Sequence, residues 1–255
     1  MTGSRRRGER GGGSGAGRID FASLSIRQPP RGYRYSLDAI LLADFASSYC
    51  GPTVLDLGTG SGVVLLLLAR LCPGLRRGVG VEIQRELWDC AQKNIDENGL
   101  SGKLSAVLGD FREDVPGLSA RSCDLVVSNP PYRRVGAGRR NPDPQKEIAR
   151  HEVACTLPDL FRAAARYLSK QGMFAMAGLP ERLPEILSCS SAARIAAVTL
   201  RFVHPFPGRP AHLLLYAGSR RGKAELNVLP PLFVYAEEGR YHPDIERIYG
   251  GLLNK

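Results

Sequence analysis

Four short stretches of this chain combine residue types whose spacing points to chemistry. Asp56-Leu57-Gly58-Thr59-Gly60-Ser61-Gly62 sets three glycines at alternate positions, and glycine lets a backbone approach a ligand and adopt angles that other residues resist. The GxGxG spacing is not the GxGxxG dinucleotide fingerprint, and the Lys-Ser/Thr pair of a phosphate loop is absent. Glu82 follows the turn by about 20 residues, the position at which an acid receives ribose hydroxyls in open α/β folds. Alone, it would read as a solvated residue or a helix cap. Asp110-Phe111 comes next: the carboxylate can accept from an adenine amino group, and the ring can cover a base. Taken singly, Phe111 reads as core.

Asn129-Pro130-Pro131-Tyr132 is the sharpest of the four. Two prolines fix the backbone and remove two N–H donors. Carbonyl oxygens and the asparagine side-chain oxygen remain, an array of acceptors suited to a planar NH₂ group. Tyr132 adds an aromatic face for stacking.

Alternating strands and helices must hold these residues. TVLDL reads as a strand running into the glycine turn and then the helix VVLLLLARL. RGVGVE (77–82) is a second strand, and ELWDCAQKNIDENG an amphipathic helix ending near Gly99. KLSAVLGD and CDLVVS (123–128) are the third and fourth strands, the latter followed at once by Asn129. A helix is expected from about Glu152 to Leu168, a fifth strand over 172–178, and a helix over PERLPEILSCSSA. ARIAAVTLRFV and AHLLLYAGSR, joined by a short loop, should pair antiparallel. A helix from about Asp38 to Ser47, with Ser36 as cap, precedes the first strand. The pattern predicts one α/β domain, Rossmann-like, with a seven-stranded, mostly parallel sheet whose last strand is antiparallel. It spans 19–255 with an N-terminal lead-in and a C-terminal extension. Residues 1–18, built of glycine, serine and arginine, read as a disordered basic tail.

The chain carries 35 Lys and Arg against 25 Asp and Glu, a net charge of +10. The excess is clustered: +4 falls in residues 1–18 and +4 in residues 133–150, leaving +2 elsewhere. Clusters of this kind suggest a polyanionic partner, although each also fits a solvated segment. Six scattered cysteines without a CxxC pair read as thiols of a reducing compartment. Four scattered histidines give no metal-ligand spacing, so no metal is expected. With no apolar run long enough for a bilayer, the expectation is a soluble cytoplasmic protein without membrane contact.

The glycine turn and NPPY together resemble a class I S-adenosylmethionine-dependent methyltransferase of the small-domain (MTS) type, and within it the tRNA1(Val) adenine N6-methyltransferase family. DLGTGSG is similar to the family's first motif, Glu82 to its ribose-binding acid, Asp110-Phe111 to its adenine contact and NPPY to its catalytic motif. GYRYSLDAILLADFA resembles the segment preceding the first motif. The stretch RRVGAGRRNPDPQKEIARHE and the ending VLPPLFVY also resemble this group, so the likeness covers about 19–255.

The resemblance implies S-adenosyl-L-methionine as cofactor, held by Tyr35, Ser36, Asp38, Asp56, Gly58, Thr59, Gly60, Gly62, Glu82, Asp110, Phe111 and Asn129. It implies Asn129, Pro130, Pro131 and Tyr132 as catalytic residues. Tyr132, Arg133, Arg134, Arg139, Arg140, Lys146 and His151 are then the substrate contacts, with tRNA or another structured RNA as partner and a monomer as the favoured state. Asp38 equally suits the first turn of its helix, and His151 equally suits a surface or cap position. A protein glutamine N5-methyltransferase offers the same chemistry, but that family usually carries a helical domain, and only some 50 residues precede TVLDL here. A ribosomal RNA guanine N2-methyltransferase commonly has an added RNA-binding domain. A non-catalytic RNA-binding module should show erosion of the glycine turn or of NPPY, and both are intact.

Overall fold

A computed structural model describes residues 18–21, 24–28, 37–130, 155–222 and 225–253. Its centre is a strand run of near-continuous apolar sequence, as expected where both faces of a sheet are covered. The strands are β3 (Thr53–Leu57), β4 (Arg77–Glu82), β5 (Leu104–Leu108), β6 (Cys123–Ser128), β7 (Leu168–Gly178), β8 (Ala196–His204) and β9 (Leu213–Ser219). They lie in the order β8-β9-β7-β6-β3-β4-β5. The five from β7 to β5 are mutually parallel, while β9 runs antiparallel to both β7 and β8. This is the expected seven-stranded sheet with the expected antiparallel pairing. Two further strands, β10 (Asn227–Val228) and β11 (Leu232–Phe233), extend it at the β8 edge to nine. Each is two residues long, too short to leave a periodic signal.

Alternation along each strand sends side chains to two cores. Val54 of β3 faces one, and Leu55 and Leu57 face the other. The first core is covered by α1 (Leu37–Ser47) and α2 (Val63–Leu71). Val63 to Leu68 are all buried, and so are Ala39 to Ala43. Helices apolar on every side are what an inner layer needs. α3 (Arg85–Glu97) and the C-terminal α6 (Pro243–Leu253) close this face through Ile95, Ile245 and Ile248. The second core is covered by α4 (Leu157–Tyr167) and α5 (Leu183–Ala192) through Leu160, Phe161, Ala164 and Ile186.

Several boundaries differ from expectation. α4 begins at Leu157, because Thr156 and Asp159 form a reciprocal capping box there; residues 151–154 lie outside the described residues. β7 begins at Leu168, directly after α4, four residues before the expected start. Arg18, assigned to the tail, instead opens β1 (Arg18–Phe21), which pairs antiparallel with β2 (Leu24–Arg27). Four-residue strands so close in sequence gave no distinct pattern. The remaining tail, residues 1–17, and Ser36 lie outside the described residues. The C-terminal extension also forms a hairpin, β12 (Tyr235–Glu237) with β13 (Arg240–Tyr241).

From β3 the chain winds to β4 and β5 on one side, then returns to β6 and β7 on the other. A crevice therefore opens beyond the carboxyl ends of β3, β4 and β6, the topological switch point at which open α/β sheets bind ligands. The fit there is close. Gly80 of β4 lies in register with Asp56 of β3, and a Cβ added to it would meet Thr59 Cγ2 and Oγ1, each at 2.7 Å. Gly80→Ala is therefore expected to displace Thr59 and to cost about 1–3 kcal/mol, read as a lower urea midpoint at unchanged m-value.

Candidate active site

The glycine turn owes its shape to left-handed backbone. Gly58, Gly60 and Gly62 have φ of 73°, 59° and 82°, a region that side chains with a Cβ resist. The N–H groups of Gly58 and Thr59 both donate to the Val81 carbonyl, at 2.9 and 3.0 Å, fastening the turn to β4. Gly62 then opens α2 as its N-cap.

Two buried carboxylates flank this turn. Asp56 is 1% exposed, and its Oδ2 accepts from the Thr59 hydroxyl at 2.7 Å. Its Oδ1 is buried without a hydrogen-bond partner. Burial pushes the carboxyl up to about 7, with Glu82 adding to the rise and the Thr59 hydroxyl opposing it. Glu82, 5% exposed, accepts from the Gly60 N–H and the Gln84 N–H, both at 2.9 Å. Burial raises its carboxyl also, and the backbone donors hold that rise back. An orphaned oxygen on one buried carboxyl, with the Glu82 carboxylate near it, is a place that favours a cationic, hydrogen-bonding ligand.

The crevice beside the turn has about 200 Å³ of open space, and seven of the eleven expected positions that fall among the described residues line it. Gly58, Gly60, Glu82, Asp110, Phe111, Asn129 and Pro130 all border it. Ser128, which ends β6, donates to the Leu57 carbonyl at 2.7 Å and so holds the Asn129 end of β6 beside the turn. Asp56, Thr59 and Gly62 stand behind the lining and shape the turn. Asp38, in the first turn of α1, is not among the crevice-lining residues, and its charge acts on His212. Tyr35, Ser36, Pro131, Tyr132, Arg133, Arg134, Arg139, Arg140, Lys146 and His151 lie outside the described residues.

Asp110 has a partner of its own. Its carboxylate is engaged by Arg112, whose Nε lies 2.9 and 2.8 Å from the two oxygens, and the pairing holds it below the usual carboxylate range. Several wall residues escaped the sequence reading: Ile83, Gln84, Leu87, Arg112, Cys155 and Leu160. Ile83 has one signal in the sequence, its place directly after Glu82, and its large apolar side chain is 38% exposed in the structure. Among the described residues, no group of His, Cys, Asp or Glu could hold a metal. No helix among them is long and apolar enough to cross a membrane. The six cysteines are free thiols.

Asp56 carries a pH signature. A carboxyl whose folded pKa stands above its unfolded value stabilises the fold at low pH, and that contribution is lost as pH rises from 3.8 through about 7. Asp56→Asn is expected to remove this dependence. Without ligand, the thermal midpoint of the variant should exceed that of the parent at pH 8 and lose the advantage towards pH 4.

Comparison with known proteins agrees with this geometry. The methyltransferase small domain model matches residues 38–179. A tRNA1(Val) (adenine(37)-N6)-methyltransferase of Porphyromonas gingivalis is 27% identical over 90% of this chain and 92% of its own length. The protein of the same name from Aeromonas hydrophila is 30% identical over 80% and 83%. Among solved structures, a predicted O-methyltransferase from Agrobacterium tumefaciens superposes with a TM-score of 0.67 at 20% identity, covering 84% of this chain and 96% of that one. Geranyl diphosphate C-methyltransferase from Streptomyces coelicolor, solved with S-adenosyl-L-homocysteine, has a TM-score of 0.53 at 14% identity over 71% and 77%. The fold is thus shared with these solved structures, and the chain belongs to the methyltransferase small domain family.

Proposed function

We propose that the protein is an S-adenosylmethionine-dependent N-methyltransferase acting on the exocyclic N6 of an adenine in tRNA. The observation that carries this reading is the shared crevice: Gly60 and Glu82 border it on one side, Asn129 and Pro130 on the other. The residues present suit the donor. Glu82 retains acceptor capacity beyond its two backbone bonds and would receive ribose hydroxyls. The orphaned Asp56 oxygen suits the ammonium end of the donor, and Ile83 and Phe111 offer apolar cover for adenine. Arg112 occupies the Asp110 carboxylate, so Asp110 would reach an adenine amino group only by sharing it. When bound, the donor supplies an electrophilic methyl on a positively charged sulfur.

The remaining work falls to acceptors at the end of β6. An exocyclic adenine nitrogen is a poor nucleophile, because its lone pair is delocalised into the ring. Asn129 and the Pro130 carbonyl would accept hydrogen bonds from that amino group, orienting it and stabilising the positive charge that develops there. No strong base is required, since the proton becomes acidic once the methyl is attached. Tyr132 would stack on the target base, which must leave its neighbours to enter.

Charge favours RNA over a protein glutamine. The described residues hold as many acidic as basic side chains, so the whole excess of +10 belongs to segments outside them, chiefly residues 1–17 and 131–154. The second of these follows directly on Pro130. The relatives named above, matched over most of both chains, bear the same tRNA substrate in their names.

Labelled methyl transfer onto separate unmodified pools of total tRNA, ribosomal RNA and protein, followed by nucleoside and amino-acid analysis, tests the substrate. N6-methyladenosine in the tRNA pool is expected; label in guanine or in glutamine overturns it. Asn129→Ala should abolish transfer while leaving donor affinity close to normal, and near-normal turnover refutes the role given to this residue. Neutralising Arg133, Arg134, Arg139 and Arg140 together should flatten the slope of log affinity against log salt by up to about 3, measured by RNA titration across a salt series.

A further inference from the structure

α3 carries Asn94, Asn98 caps its C-terminus one turn further on, and both side chains bond to β2. Asn94 Oδ1 accepts from the Arg27 N–H at 2.7 Å, and its Nδ2 donates to the Arg27 carbonyl at 3.0 Å. Asn98 repeats the pattern on Ser25, at 2.8 Å in each direction. Four helical residues rise about 6 Å, and two strand residues rise about 6.8 Å. Amides four apart on a helix therefore match backbone groups two apart on a strand. The two asparagines act as a neighbouring strand for β2, which pairs with β1 as well.

Asn94 makes one contact that Asn98 lacks. Its Nδ2 also donates to the Ser61 carbonyl at 2.8 Å, inside the glycine turn. The amide is wholly buried, at 0% exposure, and both of its N–H hydrogens are used, one on each carbonyl. The same face of α3 sets Ala91 against Gly62, where an added Cβ would lie 3.4 Å from that of Ala91. Ser61 sits between Gly60, whose N–H is held by Glu82, and Gly62. The turn is thus fastened from β4 on one side and from β2, through Asn94, on the other.

We propose that Asn94 is a positioning residue for the methyl donor: its amide, anchored on Arg27, holds the Ser61 carbonyl and with it the glycine turn, so that donor affinity depends on this one bond rather than on the hairpin as a whole. The inference rests on reading the crevice as the donor site. Asn94 does not line that crevice, so it acts through Ser61. Glycine-rich backbone is costly to order, and a turn ordered in advance spares binding that cost.

Asn94→Asp keeps size and acceptor but removes both donors. Its Kd for S-adenosylhomocysteine, by titration calorimetry, is expected to rise about tenfold. In methyl-transfer assays the donor KM should rise alike with kcat held, because no reacting atom is touched. Asn98→Ala, which loosens the hairpin without reaching Ser61, should leave the Kd unchanged. Parent-like binding by Asn94→Asp overturns the proposal, and so does an equal loss in Asn98→Ala. If the parent protein itself fails to bind S-adenosylhomocysteine, the reading of the crevice falls and the inference with it. Binding by the parent with no effect of Asn94→Asp removes only the inference. Should Asn94→Asp not fold, hydrogen exchange on the parent decides: the ligand should slow exchange at the Arg27 amide more than at Ser25, and equal or absent slowing overturns the proposal.

Discussion

Two carboxylates buried beside a glycine turn set the terms for the rest of this structure. Asp56 lies next to the end of β3 and Glu82 ends the adjacent parallel β4, and each is spent on the turn between them, Asp56 through the Thr59 hydroxyl and Glu82 through the Gly60 N–H. Burying two acids so close together costs free energy, and burial pushes both carboxyls upward. The fold tolerates the cost because backbone N–H groups and a hydroxyl offset part of it. What is left uncompensated is the second oxygen of Asp56.

That arrangement requires the strands to be in register and the elements to approach closely. Gly80 must lack a side chain so that Thr59 can fold over it towards Asp56. Ser128 must hold the end of β6 against the end of β3, or Asn129 would not share a crevice with Gly60. The doubly covered sheet supplies the rigidity: α1 and α2 are buried on one side, α4 and α5 on the other. Methyl transfer asks for alignment of donor and acceptor rather than for a strong acid or base, and a stiff platform with three strand ends converging on one point provides it.

Much of this arrangement is legible in the sequence. The strand–turn–helix around DLGTGSG, Glu82 at a strand end and CDLVVS running into Asn129 are local patterns, and local patterns are what periodicity and turn chemistry encode. The antiparallel closure of β8 and β9 followed from the short loop between them. The hairpin of β1 and β2 was missed, since four-residue strands show no periodicity of their own. Ile83 escaped because an apolar residue after a strand reads as core, whereas here it faces an open crevice.

The sequence by itself determined the fold class, the glycine turn and its acids, and the grouping of the positive charge, because each depends on neighbours within a few residues or on a simple count. Tertiary structure alone decided who partners whom. Asn94 reaches Arg27 across 67 residues and Ser61 across 33, and no spacing rule marks an asparagine on a helix as the strap of a turn. Hydrogen bonds are satisfied by proximity and angle, and once a chain has folded on itself, sequence distance predicts neither.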